Sequence, residues 1–353
     1  MNYKMKSTVR ESSFELLRLI SQFMIIYYHI FVFIYFDSGE SVHQAIWLPM
    51  HIGVPIFILI SGYWGIKTNI KSLVKIIGKT MVYTLPIVLI FNMLHSGGGN
   101  SYETLKAVAK SVLFISNTPF WFIRTYICLM LAAPLVNCYL NNIDDKYRKY
   151  TLISFSFVCI YLGTLSQCDS ALNDGKNLAN FIFLYIVGNS IRYWYPQIRQ
   201  RIGFKMLLIG YLLFNILLII SYISVADGML GKIFFRLSFP YCSPVLIFNA
   251  IVFLLIVTWH PFYSSKVNWL AKSSLAIYLL HGAPIFFYDY LGPWVVDISH
   301  ETSNLMLLLL KISMVTILLM FFCIGIDKLL TPLWNNLDRF SIWLNDRVLK
   351  LIN

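Results

Sequence analysis

Residues Phe14–Phe36 read FELLRLISQFMIIYYHIFVFIYF. The stretch is long and apolar enough to cross a bilayer as a helix. It nevertheless carries Glu15 and Arg18 near its start and His29 deep inside. At about 1.5 Å of rise per residue, Arg18 and His29 lie roughly 16 Å apart along a helix axis. Eleven residues at about 100° each complete three turns plus roughly 20°, so both side chains project from one face. Ionisable groups within a membrane are costly and normally face a protein interior or a watery cavity. This face is therefore read as the wall of a chamber built for chemistry.

The rest of the chain extends that reading. Of 353 residues, 58% are hydrophobic and only 12% charged, with mean hydropathy +0.69. Soluble domains do not have that balance. Ten apolar segments recur, at about 14–36, 46–66, 76–94, 119–140, 149–166, 178–195, 204–224, 243–259, 268–290 and 305–327. The expected fold is an all-α integral membrane protein, a bundle of about ten transmembrane helices. The first segment is too long for a signal-peptide core and is expected to be retained.

The net charge is +12. In a soluble protein it would suggest a nucleic-acid partner; here it is distributed by topology. Counting residues near span ends with the adjoining loops, ten spans put 20 of the 28 Lys and Arg in the tails and even-numbered loops and 5 in the odd-numbered loops, with Arg18, Arg124 and Lys311 further inside spans. Such a bias places both termini in the cytoplasm. The reading is a multi-pass membrane protein, in contact with lipid and with no nucleic acid. Residues 1–330 form the membrane domain and 331–353 a cytoplasmic amphipathic tail. Trp334, Leu337, Phe340, Leu344, Val348 and Leu351 recur there at three- and four-residue spacing. That stripe suits either the inner leaflet or packing on the bundle. Ser96–Asn100 reads as a flexible linker to a short segment at Tyr102–Phe114. Oligomeric state is left open.

Among the chemically capable residues, His29 can take a proton from a hydroxyl. Arg18 can bind an anion arriving from the cytoplasm, and Glu15, three residues earlier, can hold it by an ion pair. In the second segment Gly53, Ser61 and Gly62 suit close helix packing. His51 stands at the outer mouth, where a solvated ring is the expectation and a proton relay the alternative. Arg124 can stabilise negative charge or snorkel outward. Trp121 and Tyr126 suit an interfacial belt or the lining of a sugar site. His281 is a second intramembrane histidine, beside Gly282 and Pro284. His260 is expected to be solvated, and Lys311 to snorkel outward. The six cysteines show no metal or pairing spacing; five, in or at the edges of apolar segments, read as small buried apolar side chains, and Cys168 lies in an expected outer loop; no metal is expected.

Four motifs, in order, resemble the bacterial membrane acyltransferase-3 family, in its polysaccharide O-acyltransferase branch. FELLRLISQFMIIYYH resembles the opening Glu-x-x-Arg and Arg-x10-His pattern, falling on Arg18 and His29. GVPIFILISGY (53–63), WFIRTYICLMLAAPLVN (121–137) and SSLAIYLLH (273–281) resemble later signatures. The resemblance implies transfer of an acyl group, usually acetyl, from cytoplasmic acyl-CoA to a hydroxyl of a surface polysaccharide or lipid-linked glycan. It implies that His29 is the central catalytic residue and that Arg18 serves the donor. Arg124, Tyr126, His281, Ser61 and Trp121 are then expected at the substrate. Two other classes remain on the residues alone: a transporter or flippase for lipid-linked glycans, and a glycan polymerase. The former would show a repeat, and the latter large outer loops; neither is evident.

Overall fold

A computed structural model describes residues 11–95, 102, 105, 106, 109, 120–166, 172–226, 228–282 and 285–352. Among them every regular element is helical. Seven helices are long and apolar enough to cross a membrane, and Pro244–Thr258 is a shorter apolar one. The protein is an all-α integral membrane protein, as its composition requires. The linker at Ser96–Asn100, most of 102–114, Cys168 and Pro284 lie outside the described residues.

The opening helix, Ser12–Ser38, is the centre of the bundle. It contains no proline or glycine to interrupt it, and it is apolar on nearly every face, the pattern of a buried helix. Helices from the second, eighth, ninth and last apolar segments all touch it. Its start is tied down by Ser12, whose hydroxyl donates to Asn268 Oδ1 at 2.9 Å and accepts from the Ser264 N–H at 2.8 Å. Its end is a left-handed cap: Gly39 has φ 68° and donates its N–H to the Tyr35 carbonyl at 2.7 Å. Such caps favour glycine because it lacks a β-carbon. Just before the cap, Asp37 pairs with His300 at 2.6 Å. The helix is thus anchored at both ends, which fixes the rotation of the face bearing Arg18 and His29.

Close packing organises the second segment. A β-carbon added at Gly62 would collide with the Tyr185 carbonyl oxygen, and one at Gly188 with that of Leu59. These glycines let Gly53–Trp64 and Leu178–Arg201 approach backbone to backbone. Gly53 is similarly close to Ser21 and Ile25 of the opening helix. Elsewhere Asn215 and Asn249 exchange two amide hydrogen bonds, at 3.0 and 2.8 Å, between Phe204–Val225 and Pro244–Thr258. A buried polar pair of this kind fixes helix register where apolar contacts alone would slide.

Three expected continuous spans are broken. The second divides into Trp47–Met50 and Gly53–Trp64, with the break at His51–Ile52. The fifth runs from α-helix at Asp145–Ser156 into a π-helical stretch at Phe157–Ser166. The ninth divides into Ser265–Ala271, Ser274–His281 and a π-helical turn at Ile285–Leu291. Hydropathy alone sees only the apolar run. Irregular backbone at membrane depth is tolerated where protein or a cavity surrounds it, and two of these breaks adjoin the cavities described below.

The tail forms a helix, Thr331–Ile352, against Ile70–His95. Leu337 packs over Gly78, and Lys75 pairs with Asp338 at 2.7 Å. Asp327 fastens the corner: Tyr83 and Ser273 donate to its carboxylate at 2.7 Å each, and the Trp334 indole donates to its carbonyl at 3.1 Å. The packed stripe is Trp334, Leu337, Ser341, Leu344 and Val348, whereas Phe340 and Leu351 are exposed. The cysteines also divide. Cys159, Cys242 and Cys323 are buried as expected, but Cys128 and Cys138 are exposed on the bundle surface. In an apolar solvent a thiol gains little by being turned inward.

Candidate functional site

Two cavities lie against the opening helix. One, of about 390 Å³, is lined by His29 and His281, with Tyr28, His51, Trp121 and Tyr241 among its walls. The other, of about 330 Å³, is lined by Arg18, Gln22, Ser61, Tyr126 and Lys272 among others. They adjoin: Ile25, Val54, Phe122 and Tyr278 line both. The shared face of Arg18 and His29 is thus realised as two chambers that meet at an apolar partition.

In the first cavity the two predicted histidines meet. His29 Nδ1 lies 3.2 Å from His281 Nε2, and the rings are 5.4 Å apart at 27°. His281 Nδ1 lies 2.7 Å from the Ile277 carbonyl oxygen, one helical turn back. A carbonyl only accepts, so His281 Nδ1 carries the hydrogen. In a neutral imidazole the other nitrogen is then a bare acceptor. His281 Nε2 must therefore accept, and His29 Nδ1 must donate. That leaves the lone pair on His29 Nε2, which has no partner among the described residues. The chain of tautomers runs from a backbone carbonyl to a basic nitrogen on the wall of the cavity.

The second cavity has a different character. Arg18 forms an ion pair with Glu15, which is buried at its side. Lys272 stands exposed on the same cavity, so two cations serve it and one of them is held by a carboxylate. Ser61 donates to the Phe57 carbonyl at 2.8 Å, so its 3.1 Å contact with Tyr126 has the tyrosine hydroxyl as donor. Gln22 is a residue the sequence reading passed over. Its Nε2 donates to the Ser274 carbonyl at 3.0 Å, while its Oε1 is buried with no partner among the described residues. Its position, one turn after Arg18, was the available signal.

The structure therefore brings His29, His281 and Trp121 to one cavity and Arg18, Ser61 and Tyr126 to the other, with Glu15 behind Arg18. Arg124 lines neither, although it lies in the same helix as Trp121 and Tyr126. Trp121 belongs to the cavity rather than to an outer belt, its ring 5.5 Å from that of Tyr241. His51 is the plainest correction. It is 5% exposed and faces the His29 cavity, not bulk water, because Phe239 and Tyr241 stack on its ring. His260 is exposed as expected, and Lys311 reaches Thr302 at 2.7 Å. Among the described residues no cluster of His, Cys, Asp or Glu could hold a metal ion.

A bare imidazole nitrogen on a cavity wall thus adjoins a second cavity lined by two cations, both set within a bundle of apolar helices. The chain belongs to the acyltransferase-3 family: the model for that family, described as an acyltransferase domain, matches residues 11–326. The match includes both cavities, and the protein is a membrane acyltransferase. No curated protein and no solved structure matches the chain.

Proposed function

We propose that the protein transfers an acyl group, acetyl in the simplest case, from cytoplasmic acyl-CoA to a hydroxyl of a cell-surface polysaccharide or lipid-linked glycan in the bacterial plasma membrane. The observation that carries this reading is the pair of adjoining cavities, one cationic and one holding a basic imidazole, on a single helix face.

The Arg18 cavity would take the donor. Arg18 and Lys272 attract its phosphates, and Glu15 keeps the guanidinium from folding back to the lipid surface. An extended pantetheine arm spans the roughly 16 Å from Arg18 to His29. The thioester then reaches the partition formed by Ile25, Val54, Phe122 and Tyr278. From the other side the acceptor hydroxyl approaches His29. Its proton passes to Nε2 as the oxygen attacks the thioester carbonyl. The tetrahedral intermediate collapses with cleavage of the C–S bond, and the sulfur leaves with the proton returned by His29. An ester and a free thiol result. His281 holds His29 in the tautomer and ring orientation that this step requires.

The decisive experiment is mass spectrometry of surface glycans from cells with the gene, without it, and with His29→Ala. A mass difference of one acyl unit, absent in the latter two, is the expected result. Unchanged glycans would refute the acceptor class. Full acylation by the membrane-inserted His29→Ala protein would refute the base.

A further inference from the structure

We infer that His51 is a reader of acceptor hydroxyls: its imidazole edge hydrogen-bonds a hydroxyl of the acceptor next to the one that His29 deprotonates. The inference rests on the acyl-acceptor reading above and names a residue for it.

The ring of His51 is clamped. Phe239 lies 4.1 Å away at 19° and Tyr241 lies 4.4 Å away at 15°. Two nearly parallel rings at that spacing must occupy opposite faces, because on one face they would overlap. Tyr28 closes a further side, edge-on, at 4.7 Å and 65°. The clamp is itself braced. Phe239 stacks on Phe235 at 4.4 Å, and the Tyr241 N–H donates to the Asp174 carbonyl at 2.9 Å. His51 therefore has no free face on which a ligand could stack.

Only its edge is open. Neither ring nitrogen has a hydrogen-bond partner among the described residues, and neither is sealed from the cavity. Burying a polar group without a partner is costly, and buried polar groups in native structures are normally paired. A partner supplied by substrate accounts for the arrangement. A neutral imidazole presents one donor and one acceptor along its edge. A hydroxyl, which both donates and accepts, matches either nitrogen without a change of protonation; a carboxylate or an ammonium matches only one. Trp121 and Tyr241 supply apolar walls beside it, and the cavity of about 390 Å³ falls within the roughly 300–1,000 Å³ usual for small-ligand sites. His29 and His51 line this same cavity, so one bound group can meet both imidazoles.

The test uses the full chain in detergent micelles and the glycan fraction extracted from the producing cells' own envelope. Diethyl pyrocarbonate acylates accessible imidazole nitrogens, and peptide mass spectrometry reads each histidine separately. The glycan fraction is expected to slow modification of His51 and His29 together, several-fold, while exposed His260 is unaffected. Protection of His29 with His51 still reactive would overturn the assignment of His51 and leave the acceptor reading standing. Protection of neither would overturn both. In parallel, with acetyl-CoA saturating, His51→Phe should raise the KM for the glycan fraction about tenfold with a smaller change in kcat. His51→Gln, which keeps one donor and one acceptor, should recover most of it. Equal losses in kcat for both variants, or wild-type KM in His51→Phe, would show that the ring merely packs.

Discussion

The two cavities share one helix and four wall residues, yet their chemistry is opposite. In the Arg18 cavity the polar groups carry fixed charge: a guanidinium paired to a buried carboxylate, with a lysine nearby. In the His29 cavity the polar groups include imidazoles, and the hydrogens of two of them, His29 and His281, are assigned by a chain of bonds ending on a backbone carbonyl. A fixed charge binds but cannot exchange protons at neutral pH. An imidazole exchanges protons but binds anions weakly when neutral. On the proposed reading, placing one in each chamber separates holding the donor from activating the acceptor.

The sharpest way to break this comparison is to remove the base. His29→Ala should lower acyl transfer by about 10²–10⁴-fold, the range lost with a positioned acid–base group. Donor affinity should be nearly unchanged, because His29 does not line the donor chamber. Radiolabelled acetyl transfer in membrane vesicles measures the first, and equilibrium binding of acetyl-CoA the second. A matching loss of donor binding would mean that the chambers do not divide the labour.

Next is His281, which on the proposed reading acts through His29. His281→Phe leaves His29 Nδ1 without its acceptor, and an unmade buried hydrogen bond costs about 1–3 kcal/mol. A fall in kcat of about 10- to 100-fold is expected, with donor KM unchanged. His281→Gln should restore much of it, since its amide can donate to Ile277 and accept from His29. Failure of that rescue, with the protein folded, would deny the tautomer chain its role.

How much of this was legible in the sequence depends on the kind of information. The helical period placed Arg18 and His29 on one face, and the opening helix shows that face turned to the cavities. The i,i+3 pairing of Glu15 with Arg18 was readable on the same ground. What could not be read was where apolar helices stop being regular. The break at His51–Ile52 leaves no trace in hydropathy, and the rings of Phe239 and Tyr241 that bury His51 come from a segment 188 or more residues away. That Arg124 lines neither cavity was equally illegible: being three residues from Trp121 does not decide which neighbours surround each side chain. The contact of His29 with His281 joins residues 252 apart, a matter of tertiary packing. Gln22 was overlooked because a single amide gives no periodic signal.

Arg18 sharpens the comparison from the other side. Arg18→Ala should raise the donor KM about tenfold or more, the scale of a lost charge-assisted hydrogen bond of about 1.5–3 kcal/mol. It should leave the acceptor KM within about twofold. Glu15→Gln should do less, because the guanidinium remains and only its tether is weakened. Titrating acetyl-CoA against fixed glycan, then the reverse, separates the two constants. A rise in acceptor KM for Arg18→Ala would place the cation on the wrong substrate.

The smallest expected effect comes from Ser61, which touches only the Arg18 cavity. Its hydroxyl donates to Phe57 and accepts from Tyr126. Ser61→Ala removes the partner that orients the tyrosine but leaves the tyrosine in place, facing the same chamber. One neutral hydrogen bond contributes about 0.5–1.5 kcal/mol, which corresponds to a rise in donor KM of about 2- to 10-fold. The helix should remain seated, because the close approach to Leu178–Arg201 depends on Gly62 rather than on Ser61. Since the His29 chamber has no wall in common with this side chain, kcat should stay at the wild-type value. A fall in kcat without a change in donor KM would mean that Tyr126 aligns the thioester at the partition, and the division between the chambers would then lie deeper in the donor side than their shared walls suggest.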